Sequence, residues 1–328
     1  MNPAALRQQL ERNGAVFAFF LLLIGSMLWR PNIFLQPEAL RNLLNQNAGV
    51  GILALGMTLV IVAGGIDLSV GSLMALAGVL AIQTMNSAIG TAFTDPKAIW
   101  VAAAVCLAVG GLAGLVNGLL ITAGRIAPFI ATLAGLVGFR SMALAMANGG
   151  EVRASGSVFS KLGQDGITIG PMNNLLLHWP IFIFFGLAVL FSYLLNRTAF
   201  GRYCIAVGAN EQAARYSAIN TNRIKLATYV ILGICAGVAT LCVSSRINSV
   251  TSGAFGQNAE LDAIAAVVIG GARMSGGYAR ILGTVFGVLT LGIITNILTI
   301  SDVSVYWQGF VKGVIILVAV LIQRGRSD

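Results

Sequence analysis

An all-α integral membrane protein is the fold class this sequence predicts, and three observations predict it. Of 328 residues, 57% are hydrophobic and 9% charged, with a mean hydropathy of +0.87. A soluble domain carries roughly a quarter charged residues. Apolar stretches of about 20 residues, long enough to span a bilayer core, recur from end to end and leave no room for a soluble domain. Ten spans are expected, at about 15–34, 44–63, 68–85, 98–123, 127–147, 175–195, 226–245, 259–272, 281–299 and 305–322. With the N-terminus inside, inner segments hold twelve of the 20 Arg and Lys residues, outer segments six, and the membrane Arg140 and Lys312. The positive-inside rule then puts both termini in the cytoplasm. It also accounts for the net charge of +9 without invoking nucleic acid.

The first span follows a polar leader, MNPAALRQQLERNG, with no small-residue cleavage pattern, so it is expected to stay as a span. The second and third spans meet at LVIVAGGIDLSVGSLMALAGV, where Asp67 stands beside a helix start. There an Asp can cap open backbone N–H groups; the alternative is a contact with substrate. Gly110, Gly114 and Gly118 lie four apart on the fourth span, as do Gly233 and Gly237 on the seventh and Gly283 and Gly287 on the ninth. In lipid such small faces mark close helix packing.

The longest outer connection, about 148–174, reads as a solvated, turn-rich loop. His178, beside Trp179 and Pro180, reads as an interfacial anchor rather than a proton relay. A faint repeat links the third span to the ninth. In both, Gly-Gly is followed four residues later by Ser and six later by Gly (Gly65, Ser69, Gly71; Gly271, Ser275, Gly277). Interrupted hydrophobic segments in matching positions point to a transporter's functional region.

Charges inside a bilayer cost at least ~2.5 kcal/mol each on insertion scales. Lys312 lies well inside the last span, while Asp67, Glu260 and Asp262 lie at span edges. Two acids at i, i+2 do not share a helix face, so Glu260 and Asp262 are expected to have different partners. An ion pair of Lys312 with Asp67 or with Asp262 would lower the cost of burial, either as a static pair or as part of a gate. Cys106, Cys204, Cys235 and Cys242 show no CxxC or ligand spacing, so neither a metal site nor a disulfide is expected. No GxSxG, HExxH or GxxxxGK motif occurs. Catalysis and a cofactor are therefore not expected, and any ATP must be bound by another chain.

Thr198–Lys225, TAFGRYCIAVGANEQAARYSAINTNRIK, is the one long polar, basic segment between spans. Asn210 can cap a short helix with Glu211 in its first turn. Gln212–Ser217 then gives two turns with a small face at Ala213 and Ala214, surrounded by Arg202, Arg215, Arg223 and Lys225. This is a compact knob suited to a groove in a partner protein.

The stretches ALGMTLVIVAGGIDLSVGSLMAL (54–76), RIAPFIATL (125–133), TAFGRYCIAVGANEQAAR (198–215) and ELDAIAAVVIGGARMSGGYARILGT (260–284) closely resemble the ribose/xylose-type sugar ABC transporter permeases. The resemblance runs over nearly the whole chain. It implies a bacterial inner-membrane permease subunit of an ATP-driven importer for a monosaccharide or related polyol. The implied partners are a cytoplasmic ABC ATPase, a periplasmic sugar-binding protein and a second permease subunit, expected to be a second copy. It implies a single polytopic domain whose coupling loop, 196–225, holds the ATPase-coupling helix within Gly201–Ile219, and so assigns that role to Arg202, Gly208, Asn210, Glu211, Ala213 and Arg215. Asp67, Leu68 and Ser69 match the family's GIDLSVG signature. Asp67, Ser69, Glu260, Asp262 and Lys312 are the candidates for translocation or gating. Two departures stand out. Ala218 occupies a position usually glycine, so the local turn is expected to differ, and Arg273 and Met274 replace small or polar residues. The alternatives are an ABC permease for another small solute and an ATP-independent sugar carrier.

Overall fold

The computed structural model describes residues 14–89, 95, 97–170 and 175–324. The leader up to Asn13 lies outside the described residues. The described residues begin with α1 (Gly14–Trp29), α2 (Pro31–Phe34), α3 (Pro37–Val62), α4 (Val70–Ile89), α5 (Lys97–Thr122) and α6 (Pro128–Met146). An excursion from the helices follows, made of β1 (Glu151–Arg153), α7 (Val158–Gln164), β2 (Gly166–Ile169) and β3 (Leu175–His178). Then come α8 (Trp179–Arg197), α9 (Ala199–Ala209), α10 (Glu211–Tyr216), α11 (Thr221–Ile247) and β4 (Ser249–Thr251). The last three are α12 (Ala259–Ile269), α13 (Ile281–Ile300) and α14 (Val305–Arg324).

Seven of these helices, α3, α4, α5, α6, α8, α11 and α13, are long and apolar enough to cross a membrane. Helices also occupy the other three expected spans, but α1 has 16 residues and α12 only 11. At 1.5 Å per residue α12 rises about 16 Å, half of a ~30 Å hydrocarbon core. The stretch 259–272 is thus a half-helix, because the chain breaks at Gly270–Gly271 and the latter has φ 87°. The expected span at 175–195 also shifts. Its first residues form β3, paired with β2, and the helix starts at Trp179 with Pro180 in its first turn.

Every residue of α3 from Gly51 to Val62 is buried. A helix apolar on all sides belongs at the centre of a bundle, and α3 is flanked there by α8, α11, α12 and α13. The glycine stripes face one another as their spacing requires. A Cβ on Gly110 would overlap the Gly233 carbonyl, one on Gly114 the Tyr229 carbonyl, and one on Gly237 the Cys106 carbonyl, so α5 and α11 pack backbone to backbone. Gly283 and Gly287 bring α13 equally close to Gly270 and Ala266.

The connection expected at about 148–174 is more ordered than a solvated loop. β1 pairs antiparallel with β4, with Glu151 opposite Thr251. Gln164 Nε2 donates to the Arg246 carbonyl at 2.9 Å, and His178 Nδ1 lies 2.7 Å from the Gln164 carbonyl. Its backbone groups find partners on the bundle rather than in water. The turn after α10 also keeps the geometry a glycine would favour. Ala218 has φ 60°, so here alanine takes the left-handed conformation instead of the turn changing shape.

Gly114→Leu is expected to prevent stable folding, since overpacking a close contact costs about 1–3 kcal/mol or more. Gly111→Ala, whose Cβ would stand 3.6 Å from Ile234, is expected to leave the melting temperature in detergent unchanged. Ala218→Gly is expected to raise stability by about 0.5–1 kcal/mol by relieving left-handed strain, read as a higher melting temperature. All four cysteines are free and buried, and burial pushes the Cys204 thiol up to about 12. The thiolate is the reactive form, so none should react with a maleimide at neutral pH until the chain is denatured.

Candidate functional site

The knob is built from three caps and a charge cluster. Thr198 Oγ1 accepts from Gly201 N at 3.2 Å to start α9. Asn210 Oδ1 accepts from Ala213 N at 2.9 Å to start α10, and Asn220 Oδ1 accepts from Arg223 N at 3.1 Å to start α11. The Glu211 carboxylate bridges Arg215 Nη2 at 2.7 Å and Lys225 Nζ at 2.5 Å. Arg215 Nε also donates to Thr221 Oγ1 at 3.1 Å. Glu211 and Arg215 therefore fix α10 onto α11. Partial burial pushes the Glu211 carboxyl up, but hydrogen bonds from Lys225 and Arg215 outweigh it and hold the group below its ordinary value. That contribution is complete above the ordinary carboxylate pKa and is lost as pH falls through the lower folded value. Arg202, Asn210, Ala213 and Arg215 are exposed, whereas Ala214 is buried, so only half of the expected small face points outward. Tyr216, at 90% exposed, projects beside Arg215.

Gly208 is half-buried, at a meeting of three backbones. A Cβ there would overlap the Val62 carbonyl and crowd Gly277 N at 2.6 Å, and Gly277 N itself donates to Val62 O at 2.9 Å. Gly276, with φ 89°, lies against Gly208 and Gly64. The end of α9 thus touches both breaks of the faint repeat, Gly64–Ser69 and Gly270–Arg280. Arg273, one of the departures, folds over the Tyr278 ring at 5.6 Å within the second break. A small cavity lined by Val60, Gly64, Gly65, Pro128, Lys225 and Tyr229 adjoins the first.

Asp67 sits in that first break, 3% exposed. Its Oδ1 accepts from Ser69 N at 2.8 Å and Ser69 Oγ at 2.6 Å, a capping geometry ahead of α4. Asn117 Nδ2 of α5 donates to Ser69 Oγ at 2.8 Å, and Tyr229 Oη of α11 to the Ile66 carbonyl at 3.2 Å. The two acids of α12 do diverge. Asp262 Oδ1 pairs with Lys312 Nζ at 3.0 Å, while Glu260 packs its carboxylate onto Gly71 in the first turn of α4. There an anion meets the positive end of a helix.

From the sequence, Arg140 is placed in the membrane with Lys312 but given no role, and Tyr216 is not singled out. Arg140 Nη1 donates to the Ser252 and Phe255 carbonyls at 2.8 and 2.9 Å, and Nη2 to Gly71 O at 3.4 Å. The signal for Arg140 is the one that marks Lys312, a charge inside an apolar span. Tyr216 shows only as an aromatic in a polar segment. As a whole, the arrangement can transmit movement of an exposed surface element to two interruptions in membrane helices.

Comparison with known proteins finds relatives over most of the chain. Residues 39–320 match the family model described as the permease component of a branched-chain amino acid transport system. The ribose import permease protein RbsC of Bacillus subtilis (strain 168) is 38% identical over 323 residues, covering 97% of this chain and 94% of that one. RbsC of Escherichia coli (strain K12) is 38% identical over 320 residues, covering 97% and 95%. The xylose transport system permease protein XylH of Escherichia coli (strain K12) is 32% identical over 369 residues, covering 94% and 91%. No solved structure matches the chain. This multi-pass membrane protein therefore belongs to the ABC transporter permease family that includes the ribose and xylose permeases.

Proposed function

We propose that the chain is the membrane-spanning subunit of an ATP-driven importer for a monosaccharide or related polyol in the bacterial inner membrane. One observation carries the reading: the exposed α9–α10 knob is seated through Gly208 against both helix breaks. A cytoplasmic ABC ATPase that grips Arg202, Ala213 and Tyr216 moves the knob, and the knob moves the starts of α4 and α13. Each nucleotide state must bind one conformation better than the other for this to do work. ATP is hydrolysed by that partner. A periplasmic binding protein delivers the solute at the outer face, and two copies of this chain enclose the path. Ten crossings, the eighth made by β4, the turn after it and α12 together, leave both termini in the cytoplasm. The whole chain is one polytopic domain with 196–225 as its coupling loop.

Sugar as the solute is supported by relatives named for ribose and xylose. The family model's description, which names branched-chain amino acids, favours a second reading, a permease of the same architecture for another small solute. Copurification in mild detergent followed by ligand screening of the captured binding protein separates the two. Recovery of the chain alone, with uptake surviving ATP depletion, would overturn both.

Glu211→Lys is expected to abolish ATPase copurification, because it replaces the carboxylate that holds α10 to α11. Tyr216→Ala is expected to weaken the complex roughly tenfold without unfolding the permease, the size of an exposed aromatic anchor's truncation. Lys312→Met alone leaves Asp262 uncompensated and should lower uptake and yield. The double variant Lys312→Met/Asp262→Asn should restore both, as expected of a static pair. Uptake that stays low in a well-folded double variant would make the pair part of the gate instead.

A further inference from the structure

The chain between α11 and α12 returns into the membrane as irregular backbone. Val250 lies opposite Gly78 of α4, and Gly256 opposite Gly71. Between those two glycines α4 rises about 10 Å, so the segment descends by that much alongside α4. Gly135 of α6 packs against Ser69, and Arg140 lies further along the same apolar span, Pro128–Met146. The turn at Gly253–Asn258 is therefore at hydrocarbon depth. Its inner residues, Ser252 and Phe255, are buried, but Gly253, Ala254, Gln257 and Asn258 are exposed. Two carboxamide side chains on an exposed surface at this depth are incompatible with lipid, where non-helical backbone and polar groups persist only inside protein or along a water-filled cavity.

We propose that the Gly253–Asn258 turn forms a polar wall of the translocation path and that Arg140 is the positioning residue that pins it to α4. This rests on the transport reading above and adds residues to it. The guanidinium joins three backbones: it donates to Ser252 and Phe255 at the two ends of the turn's inner face and to Gly71 at the start of α4. Glu260, one residue into α12 and packed on Gly71, is the carboxylate facing this cluster. A planar fork with several donors can hold three carbonyls at once; an ammonium is a point charge without that geometry. The polyol class of solute suits such a wall, since amide groups both donate and accept hydrogen bonds.

Cysteine accessibility tests this on the full chain in lipid nanodiscs, without the ATPase, so failure of the transport reading leaves the result interpretable. Ala254→Cys and Gln257→Cys should react with a charged methanethiosulfonate reagent, against a background of four buried native cysteines. Arg140→Met should change the labelling rate of Gln257→Cys by about tenfold or more, the net contribution of a charge-assisted hydrogen bond. Arg140→Lys should recover it only partly. A reporter at Tyr306→Cys, a position 93% exposed on α14, should label at an unchanged rate in both variants, which separates local release from unfolding. Labelling of the turn only by a lipid-soluble maleimide would place it against lipid, and inertness to both reagents would place it under a second copy. Either result overturns the wall. An unchanged rate at Gln257→Cys in Arg140→Met overturns the role of Arg140.

Discussion

A buried backbone N–H or C=O that loses its helical partner must find another, and among the described residues three interruptions, Gly64–Ser69, 252–258 and Gly270–Arg280, each find one. Each interruption persists because a particular group supplies what the helix no longer does. At Gly64–Ser69 the Asp67 carboxylate takes Ser69 N, and Tyr229 from α11 takes the Ile66 carbonyl. At Gly270–Arg280 the Gly277 amide returns to Val62 at the end of α3. At 252–258 the Arg140 guanidinium takes two carbonyls. Asp67 and Arg140, two of the costly polar residues, are found where the backbone needs them.

Those breaks are cross-linked by close packing. Gly208, Gly64, Gly276 and Gly277 bring the end of α9 and both breaks within backbone contact, and a side chain at Gly208, Gly276 or Gly277 would force them apart. The glycine stripes of α5 and α11 leave a smooth seam beside them. Densely packed interiors transmit displacement instead of absorbing it. A knob held by Glu211, Arg215 and Lys225 is thus packed against the breaks that precede α4 and α13. The energetic logic differs from that of a soluble domain, because the driving force between helices is close backbone approach and hydrogen bonding, with lipid as apolar as leucine.

Much of this was legible in the sequence because it follows from local rules. Apolar runs set the helices, Asn210 sets a cap, glycines four apart set a contact face, and the alternation of basic residues sets an orientation to be tested. The motif GIDLSVG and the segment Thr198–Arg215 carried the family. Acids two apart on one helix had to diverge, and they did, toward Lys312 and toward α4. What misled was length. The apolar stretch at 259–272 reads as a span by composition, yet composition cannot register that its helix ends after 11 residues. The outer connection read as loop because its strands are short and their partners, such as β4, lie nearly a hundred positions away.

The sequence by itself determined what the chain is made of: a membrane bundle with a basic, capped knob, buried charges in need of partners, and no chemistry of its own in its motifs. Only the tertiary structure decided which partners those were. Lys312 took Asp262 rather than Asp67, Ala218 accepted a glycine's conformation, and Arg140 emerged as the support of a re-entrant turn more than a hundred residues away. The physical reason is that pairing inside a membrane is set by which groups share a depth and a face. Depth and face belong to helices packed against one another, not to positions along a chain.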